Sequence, residues 1–248
     1  MQSYKSDLYD TIYILRHGQR ADKVHEPGVT FENKDDPPMT EIGRKQCYAS
    51  AKYIQNQILN RNQSQQGKLE VKVYSSPFLR CIQSSEEVCR MFNINQFKVD
   101  TRLSENQATF YYDKDPLPNL ILHDPKQLKK FQNQSLELQW NSNWYEEGRS
   151  LINYPDSSRT LKARFVSILE EIIQDEFNQN AQENLDNPKT VIMVSHGCAI
   201  EQLCEHFGGR WQFEEEYCAI LGFLRKKGEE DWVQIEAGKA YYSTYLEK

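Results

Sequence analysis

TIYILRHGQR, residues Thr11 to Arg20, places a short apolar run directly before a histidine that stands between two arginines. An apolar run that a glycine stops is typical of a buried strand ending in a turn. The neighbouring guanidinium groups of Arg16 and Arg20 would lower the pKa of His17 and keep its ring neutral. They would also bind a doubly charged oxyanion such as phosphate. The segment therefore predicts His17 as a nucleophile that attacks phosphorus, with both arginines holding the phosphate.

Two further strand ends carry residues that suit the same chemistry. The apolar run Thr190 to Val194 ends at His196, and a helix is predicted directly after it. The run Leu69 to Tyr74 leads into SSPFLR, which contains Arg80. Because ligands of parallel sheets bind at the carboxyl ends of the strands, we expect His17, Arg80 and His196 to converge on one phosphate.

A helix is predicted after the run Leu69 to Tyr74. It is expected to begin with Ser76 as its N-cap and Pro77 at its first position, and to end near Phe92. Arg80 then lies in the first turn. A positive charge there does not stabilise a helix, because the helix N-terminus is itself positive. This conflict favours a functional role for Arg80 in binding an anion.

Strands alternate with helices along the whole chain. Thr40 is predicted to cap a helix that ends near Leu59, and the clearest helical periodicity runs from Leu161 to Phe177. Two strands are predicted near the end, Ala219 to Leu224 and Trp232 to Ile235. This order predicts an α/β fold with a mostly parallel central sheet and helices on both faces. No change in composition divides residues 1–248, so we expect a single domain.

The periodic pattern disappears between residues 107 and 154, where aromatic residues alternate with prolines and polar residues. An irregular segment of this length in a compact domain usually serves as a lid or contributes to substrate binding. We therefore predict an insertion that lies over the carboxyl ends of the strands and contacts the substrate.

Phosphoryl transfer also needs an acid that protonates the leaving oxygen. Glu105 follows a predicted short strand and precedes the insertion, which makes it the predicted acid. Glu26, Asp35 and Asp36, in the loop after His17, are alternatives that the sequence leaves open.

Composition excludes several other functions. A net charge of −6 and a pI near 5.5 argue against a nucleic-acid-binding protein. The six cysteines show no CxxC pairing, and no apolar run is long enough to cross a membrane, so we expect a cytoplasmic protein with free thiols. No group of carboxylates, cysteines and histidines has metal-ligand spacing, so neither a metal ion nor another cofactor is expected.

Four motifs together resemble the histidine phosphatase superfamily, which has the phosphoglycerate mutase-like fold. They are RHG after the first strand, PMTEIGRKQ at Pro38 to Gln46, YSSPFLRCIQS at Tyr74 to Ser84, and VSHG at Val194 to Gly197. The resemblance implies a phosphohistidine on His17, with Arg16, Arg80 and His196 as the phosphate pocket. Arg20 in RHGQR further resembles the branch of suppressor-of-T-cell-receptor-signalling phosphatases, in which this arginine also lines the pocket.

The chain departs from the mutases of this superfamily at one place. The mutases have a Glu-Arg-His-Tyr-Gly stretch after the third strand, whereas Ser104 to Ala108 here reads SENQA. The glutamate is kept as Glu105, but the residues that bind phosphoglycerate are not. The sequence therefore favours a phosphatase acting on a phosphorylated small molecule or a phosphoprotein. A mutase and a catalytically silent module that binds phosphorylated ligands are the alternatives.

Overall fold

Seven strands form one sheet in the computed structural model, which describes residues 8–24, 33–62, 69–132, 136–140, 152, 154–178, 187–209 and 216–246. Their order across the sheet is β4-β3-β2-β5-β1-β6-β7. In chain order the strands are β1 (Tyr9–Arg16), β2 (Glu70–Ser75), β3 (Gln96–Val99), β4 (Glu137–Trp140), β5 (Lys189–Ser195), β6 (Ala219–Lys226) and β7 (Val233–Ala240).

The sheet is mostly parallel, as predicted. The first five strands of the sheet order pair in parallel, and only β6 runs antiparallel to its neighbours β1 and β7. The register aligns Leu15 of β1 and Ser75 of β2 with the same residue of β5, Val194. Three neighbouring strands in the middle of the sheet therefore end at the same level.

Helices cover both faces of this sheet. They are α1 (Glu41–Arg61), α2 (Leu79–Phe92), α3 (Pro125–Phe131), α4 (Ser158–Ile172) and α5 (Gly197–His206). Tyr13 and Leu15 belong to the core on the side of α1 and α2, whereas Ile12 and Ile14 belong to the core on the side of α4 and α5. Because both faces of β1 are buried, its sequence is apolar without alternation.

The start of α2 differs from the prediction. The helix begins at Leu79, so Ser76 is not its N-cap and Pro77 lies before its first turn. A carboxylate from a distant loop replaces the predicted cap, since Asp36 Oδ1 accepts the hydrogen bond of the Leu79 amide at 2.7 Å. The hydroxyl of Ser76 is instead 2.8 Å from His196 Nε2. A local sequence pattern cannot reveal a cap that lies 43 residues away.

The segment 107–154 contains more regular structure than the sequence predicted. Helix α3 lies within it, and β4 extends the sheet by pairing in parallel with β3. Both elements are short, seven and four residues, so they give little periodic signal. Residues 133–135, 141–151 and 153 of the segment lie outside the described residues.

The other predicted helices agree with the structure apart from their ends. Thr40 caps α1, because its Oγ1 accepts the Gly43 amide at 2.9 Å. Ser157 caps α4 in a capping box with Thr160, and the helix continues after Ile172 as a turn of π-helix over Ile173–Asn178. Among the described residues, no helix combines the length and the apolar character needed to cross a membrane.

Candidate active site

His17 lies directly after β1, with its side chain enclosed by the protein. Its amide continues the ladder to β5 by donating to the carbonyl of Ser195 at 3.0 Å, and the residue is 1% exposed. Its Nδ1 is 2.8 Å from the carbonyl oxygen of Gly18. Since a carbonyl only accepts hydrogen bonds, Nδ1 carries the proton and a neutral ring keeps its lone pair on Nε2. The local backbone therefore fixes which nitrogen can act as a nucleophile.

The glycine after His17 is required by packing against α1. A Cβ atom added at Gly18 would overlap the carbonyl oxygen of Gly43 and approach Cys47 Sγ to 2.9 Å. The amide of Gly18 donates to Ser84 Oγ of α2 at 3.3 Å. The turn that carries His17 is thus held against two helices, which limits its movement.

His196 occupies the corresponding place at the end of β5, where it is the N-cap residue of α5. Its side chain is fully buried, and its ring centroid lies 5.4 Å from that of His17. Ser76, at the end of β2, lies at its Nε2. The ends of β1, β2 and β5 therefore each supply a side chain to one small volume.

Arg80 joins this group from the first turn of α2. The residue is 0% exposed, and its Nη2 lies 3.2 Å from both His196 Nδ1 and Glu105 Oε2. Its Nε and Nη1 atoms are buried without a hydrogen-bond partner among the described residues. A buried guanidinium with unsatisfied donors is costly unless an anion binds there. Arg80 therefore has the properties of an anion ligand.

Glu105 closes the group from the loop after β3. Its Oε2 is 3.2 Å from His196 Nδ1 as well as from Arg80, and its Oε1 accepts from Cys198 Sγ at 3.3 Å and from the Asn106 amide at 3.1 Å. The Glu105 side chain is 17% exposed. The ligand atoms of His17, Glu105 and His196 all lie within 4.8 Å of one another.

These contacts shift the pKa values of all three titratable groups. Burial, together with the positive charge of Arg80, lowers the pKa of His17 well below its ordinary value. Burial lowers the pKa of His196 to about 4, although the carboxylate of Glu105 opposes this shift. For Glu105, burial would raise the pKa, but the interaction with His196 and the charge of Arg80 outweigh it and lower the pKa well below its ordinary value. At neutral pH the site holds two neutral imidazoles and a carboxylate.

The same three donors are the group of described residues that could hold a metal ion. However, the Arg80 guanidinium lies 3.2 Å from two of them. A fixed positive charge at that distance repels a metal cation and attracts an anion. The charge of the site therefore suits phosphate better than a metal.

The two arginines that flank His17 lie on the wall of a cleft. Arg16 stacks its guanidinium carbon 5.2 Å from the ring centroid of Tyr217. Arg20 is engaged elsewhere, since its Nε and Nη2 bind both carboxylate oxygens of Asp22 at 2.9 and 2.7 Å. Both arginines line the same cleft, but part of the charge of Arg20 is already balanced.

The cleft has a volume of about 630 Å³ and is also lined by Glu105 and Cys198. Phe110 and Tyr111 of the predicted insertion contribute to its wall. The start of segment 107–154 therefore lies at the cleft, and the contact of this segment with the substrate stays a prediction.

The alternative acids lie in different surroundings. Asp35 lines the cleft. Asp36 is fully buried, where its two oxygens accept the amides of Leu79 and Ile121 at 2.7 and 2.9 Å, and burial raises its pKa to about 6. These contacts give Asp36 a structural role at the start of α2. Glu26 lies outside the described residues.

Several residues of the site were missed by sequence reasoning. The sequence predicts Ser76 only as a helix cap, and Cys198, directly after the VSHG motif, only as one of six free thiols. Tyr217 lies against Arg16 and 5.9 Å from the His17 ring centroid. The neighbour of Tyr217, Cys218, donates its amide to the carbonyl of His17 at 3.2 Å. No local sequence signal marks Tyr217. The residue reaches the site because β6, which follows it, pairs antiparallel with β1.

Solved structures share this fold at low sequence identity. A phosphoglycerate mutase from Bacillus anthracis superposes with a TM-score of 0.57 at 14% identity, with 97% of each chain covered. The ecdysone phosphate phosphatase from Bombix mori, solved with tungstate, gives a TM-score of 0.52 at 14% identity over 92% of each chain. A phosphoserine phosphatase from Entamoeba histolytica gives 0.50 at 13% identity, over 94% of this chain and 98% of its own.

These structures show that the fold occurs in phosphatases and in a mutase alike. No curated protein matches the sequence. The profile of the histidine phosphatase superfamily (branch 1), however, matches residues 12–234, which is most of the chain and includes both histidines, Arg80 and Glu105. This protein therefore belongs to branch 1 of the histidine phosphatase superfamily.

Proposed function

We propose that the protein is a phosphatase that hydrolyses phosphomonoesters through a phosphohistidine intermediate on His17, without a metal ion. One observation carries this proposal: a buried, neutral imidazole whose Nδ1 is bound to a carbonyl 2.8 Å away lies beside a buried guanidinium with unsatisfied donors. The imidazole supports the role of nucleophile, and the guanidinium that of the charge that neutralises phosphate.

In the proposed first step, His17 Nε2 forms a bond to phosphorus while the bond between phosphorus and the leaving oxygen breaks. Glu105 in its protonated form gives its proton to that oxygen, so the product is a neutral alcohol. In the second step, water attacks phosphorus and the bond to His17 breaks. The Glu105 carboxylate takes a proton from this water, and phosphate is released.

Glu105 must gain a proton before it can act as an acid. Its contacts suggest that substrate binding raises its pKa and so causes this protonation. Arg80 and His196 both lie 3.2 Å from its Oε2. A phosphate dianion in the site would compete for these two groups and would place negative charge next to the carboxylate. Both effects raise the pKa of Glu105, so we expect substrate binding to be coupled to proton uptake.

Assaying a panel of phosphorylated small molecules and phosphopeptides with a chelator present tests this proposal. We expect release of inorganic phosphate from at least one class, with no loss of rate in EDTA and no gain on adding magnesium or zinc. Loss of activity in EDTA that a divalent metal restores would contradict the proposal.

The same panel separates the two other functions. A mutase would move phosphate within a phosphoglycerate faster than it releases phosphate to water. A silent binding module would bind phosphopeptides without turnover. The superfamily contains phosphatases and mutases, so the choice between them depends on this measurement.

We expect the phosphate-binding arginines to differ in strength. Arg80→Ala removes a buried cation with free donors, so inhibition by phosphate or vanadate should weaken by about 100-fold, the scale of a charged hydrogen bond pair in a dry site. Arg20→Ala should weaken it by less than about tenfold, because Asp22 already balances Arg20. If inhibition weakened equally in both variants, this ranking would be contradicted. If Arg20→Ala left inhibition unchanged, Arg20 would not be a phosphate ligand.

The pH dependence should follow from the lowered pKa values of His17 and Glu105. Because the pKa of His17 lies below its ordinary value, the nucleophile stays neutral as the pH falls. Because the pKa of Glu105 is also low, its proton is scarcer at higher pH. We therefore expect kcat/KM for an alkyl phosphate to increase as the pH is lowered from 8 to 5. The phosphate ester itself takes up a proton near pH 6, so kcat/KM is calculated for the concentration of its dianion. A decrease that is then still centred near pH 6.5, the ordinary histidine value, would show that the pKa of His17 is not lowered.

A further inference from the structure

Arg164 of α4 is a fully buried arginine outside the cleft, and its hydrogen bonds converge on the loop that carries Glu105. Its Nη1 donates to the carbonyl oxygens of Arg102 and Ser104 at 2.8 and 2.7 Å. Its Nη2 donates to the carbonyl oxygen of Glu105 at 2.8 Å. Three carbonyls in four residues are thus bound by one planar group, so the backbone before and at Glu105 has little freedom.

Asp156 completes this arrangement by binding both Arg164 and the backbone that follows Glu105. Its Oδ2 accepts from Arg164 Nη2 at 2.9 Å and from the Gln107 amide at 3.1 Å, and its own amide donates to the Gln107 carbonyl at 3.2 Å. The side chains of both members of the ion pair are 0% exposed. The pair therefore holds the main chain on both sides of Glu105, at residues 102–105 and at residue 107.

A buried ion pair is an energetically unfavourable way to anchor a loop. Removing two charges from water is unfavourable, and an apolar contact of similar volume often stabilises a fold equally well. What an apolar contact cannot do is fix carbonyl and amide groups in direction. A planar guanidinium with several donors in a rigid fork can do so.

We infer that Arg164 and Asp156 are positioning residues that hold Glu105 at the distance from the leaving oxygen that proton transfer requires. Among the described residues, the Glu105 carboxylate contacts Arg80, His196, Cys198 and the Asn106 amide, and neither Arg164 nor Asp156 bonds to it, so these two residues act through the backbone. The inference rests on the proposed function, because it assumes that Glu105 is the acid. A displacement of about 1 Å at a reacting group can cost about 100-fold in rate.

Arg164→Lys tests the inference, since it keeps the buried charge but replaces the fork by a single ammonium group. We expect kcat/KM to fall by about tenfold or more for an alkyl phosphate and much less for p-nitrophenyl phosphate, whose leaving group scarcely needs a proton. Inhibition by phosphate should stay within about twofold, because His17 and Arg80 are held by β1 and α2. Equal losses with both substrates would overturn the inference.

Arg225→Lys is the matched control. Arg225 is also a buried arginine in an ion pair, with Asp10 at 3.3 Å, but it lies at the amino end of β1, away from His17. We expect it to lower Tm without changing the ratio of the two substrates. If Arg164→Lys does not fold, Asp156→Asn takes its place, because it keeps the shape of the side chain and removes only its charge.

Combination with Glu105→Gln shows whether Arg164 acts through Glu105. In that background Arg164→Lys should no longer change the substrate ratio, since no acid remains to be positioned. An unchanged effect in the double variant would overturn the inference. A variant of His17 that stays active would instead contradict the proposed function. Failure of the positioning role of Arg164 can therefore be distinguished from failure of the proposed function. If Glu105→Gln alone fails to discriminate between the substrates, Glu105 is not the acid and the inference falls with it.

Discussion

His17→Ala should lose at least about 1000-fold in kcat, because the variant has no nucleophile and water attacks phosphorus poorly. This corresponds to about 4 kcal/mol of transition-state stabilisation. The fold should persist, since the imidazole contributes one hydrogen bond, to the Gly18 carbonyl, and its backbone contact with Ser195 does not depend on the side chain. The measurements are kcat on the best substrate of the panel and Tm.

The intermediate itself can be followed. Wild-type protein mixed with a radiolabelled phosphate ester and quenched in alkali should retain label, because phosphohistidine is a phosphoramidate that survives alkali, and the His17→Ala variant should retain none. His206→Ala, in the last turn of α5, is the matched control and should behave as wild type. A His17→Ala variant with a tenth of the wild-type kcat would show that another residue attacks phosphorus.

Glu105→Gln should lose about 10²- to 10⁴-fold in kcat/KM with an alkyl phosphate, the range of general acid catalysis, and far less with p-nitrophenyl phosphate. An alkyl group leaves as a strongly basic alkoxide unless it is protonated, whereas p-nitrophenolate is stable. The variant also removes a negative charge 3.2 Å from Arg80 and His196, so phosphate should inhibit it more strongly than the wild type.

Glu201→Gln is the matched control for this prediction. Glu201 lines the same cleft, so its replacement changes the charge of the cleft by the same amount. We expect no change in the ratio of the two substrates. Equal losses with both substrates in Glu105→Gln would mean that Glu105 only shapes the pocket. Asp35 and Glu26 would then be tested as the acid, because both oxygens of Asp36 accept backbone amides.

Local sequence patterns are sufficient to predict the class of fold. Strong local signals mark β1, β5 and α4, because buried parallel strands are apolar on both faces and a long amphipathic helix repeats every three to four residues. The order of strands and helices then restricts the sheet to a mostly parallel one. Short elements such as α3 and β4 carry too few residues for a pattern, so the sequence did not predict them.

The sequence also indicated which residues belong near the site. His17, Arg80 and His196 each follow a predicted strand, and parallel strands end at one edge of a sheet. The structure places Arg80, Glu105 and His196 within 3.2 Å of one another and the ring of His17 beside that of His196. Their roles in catalysis remain predictions that the variants above test.

Most of the charged and polar partners within the site were set by the tertiary structure. The sequence predicted that Arg20 binds the phosphate together with Arg16, and the structure shows that Asp22, two residues later, binds the Arg20 guanidinium at 2.7 Å and balances part of its charge. Ser76 lies at His196 instead of capping α2, because Asp36 reaches the helix from another loop. The carbonyls around Glu105 are held by Arg164, which lies about 60 residues further along the chain. Contacts between such distant residues leave no local pattern, since folding alone brings the groups together.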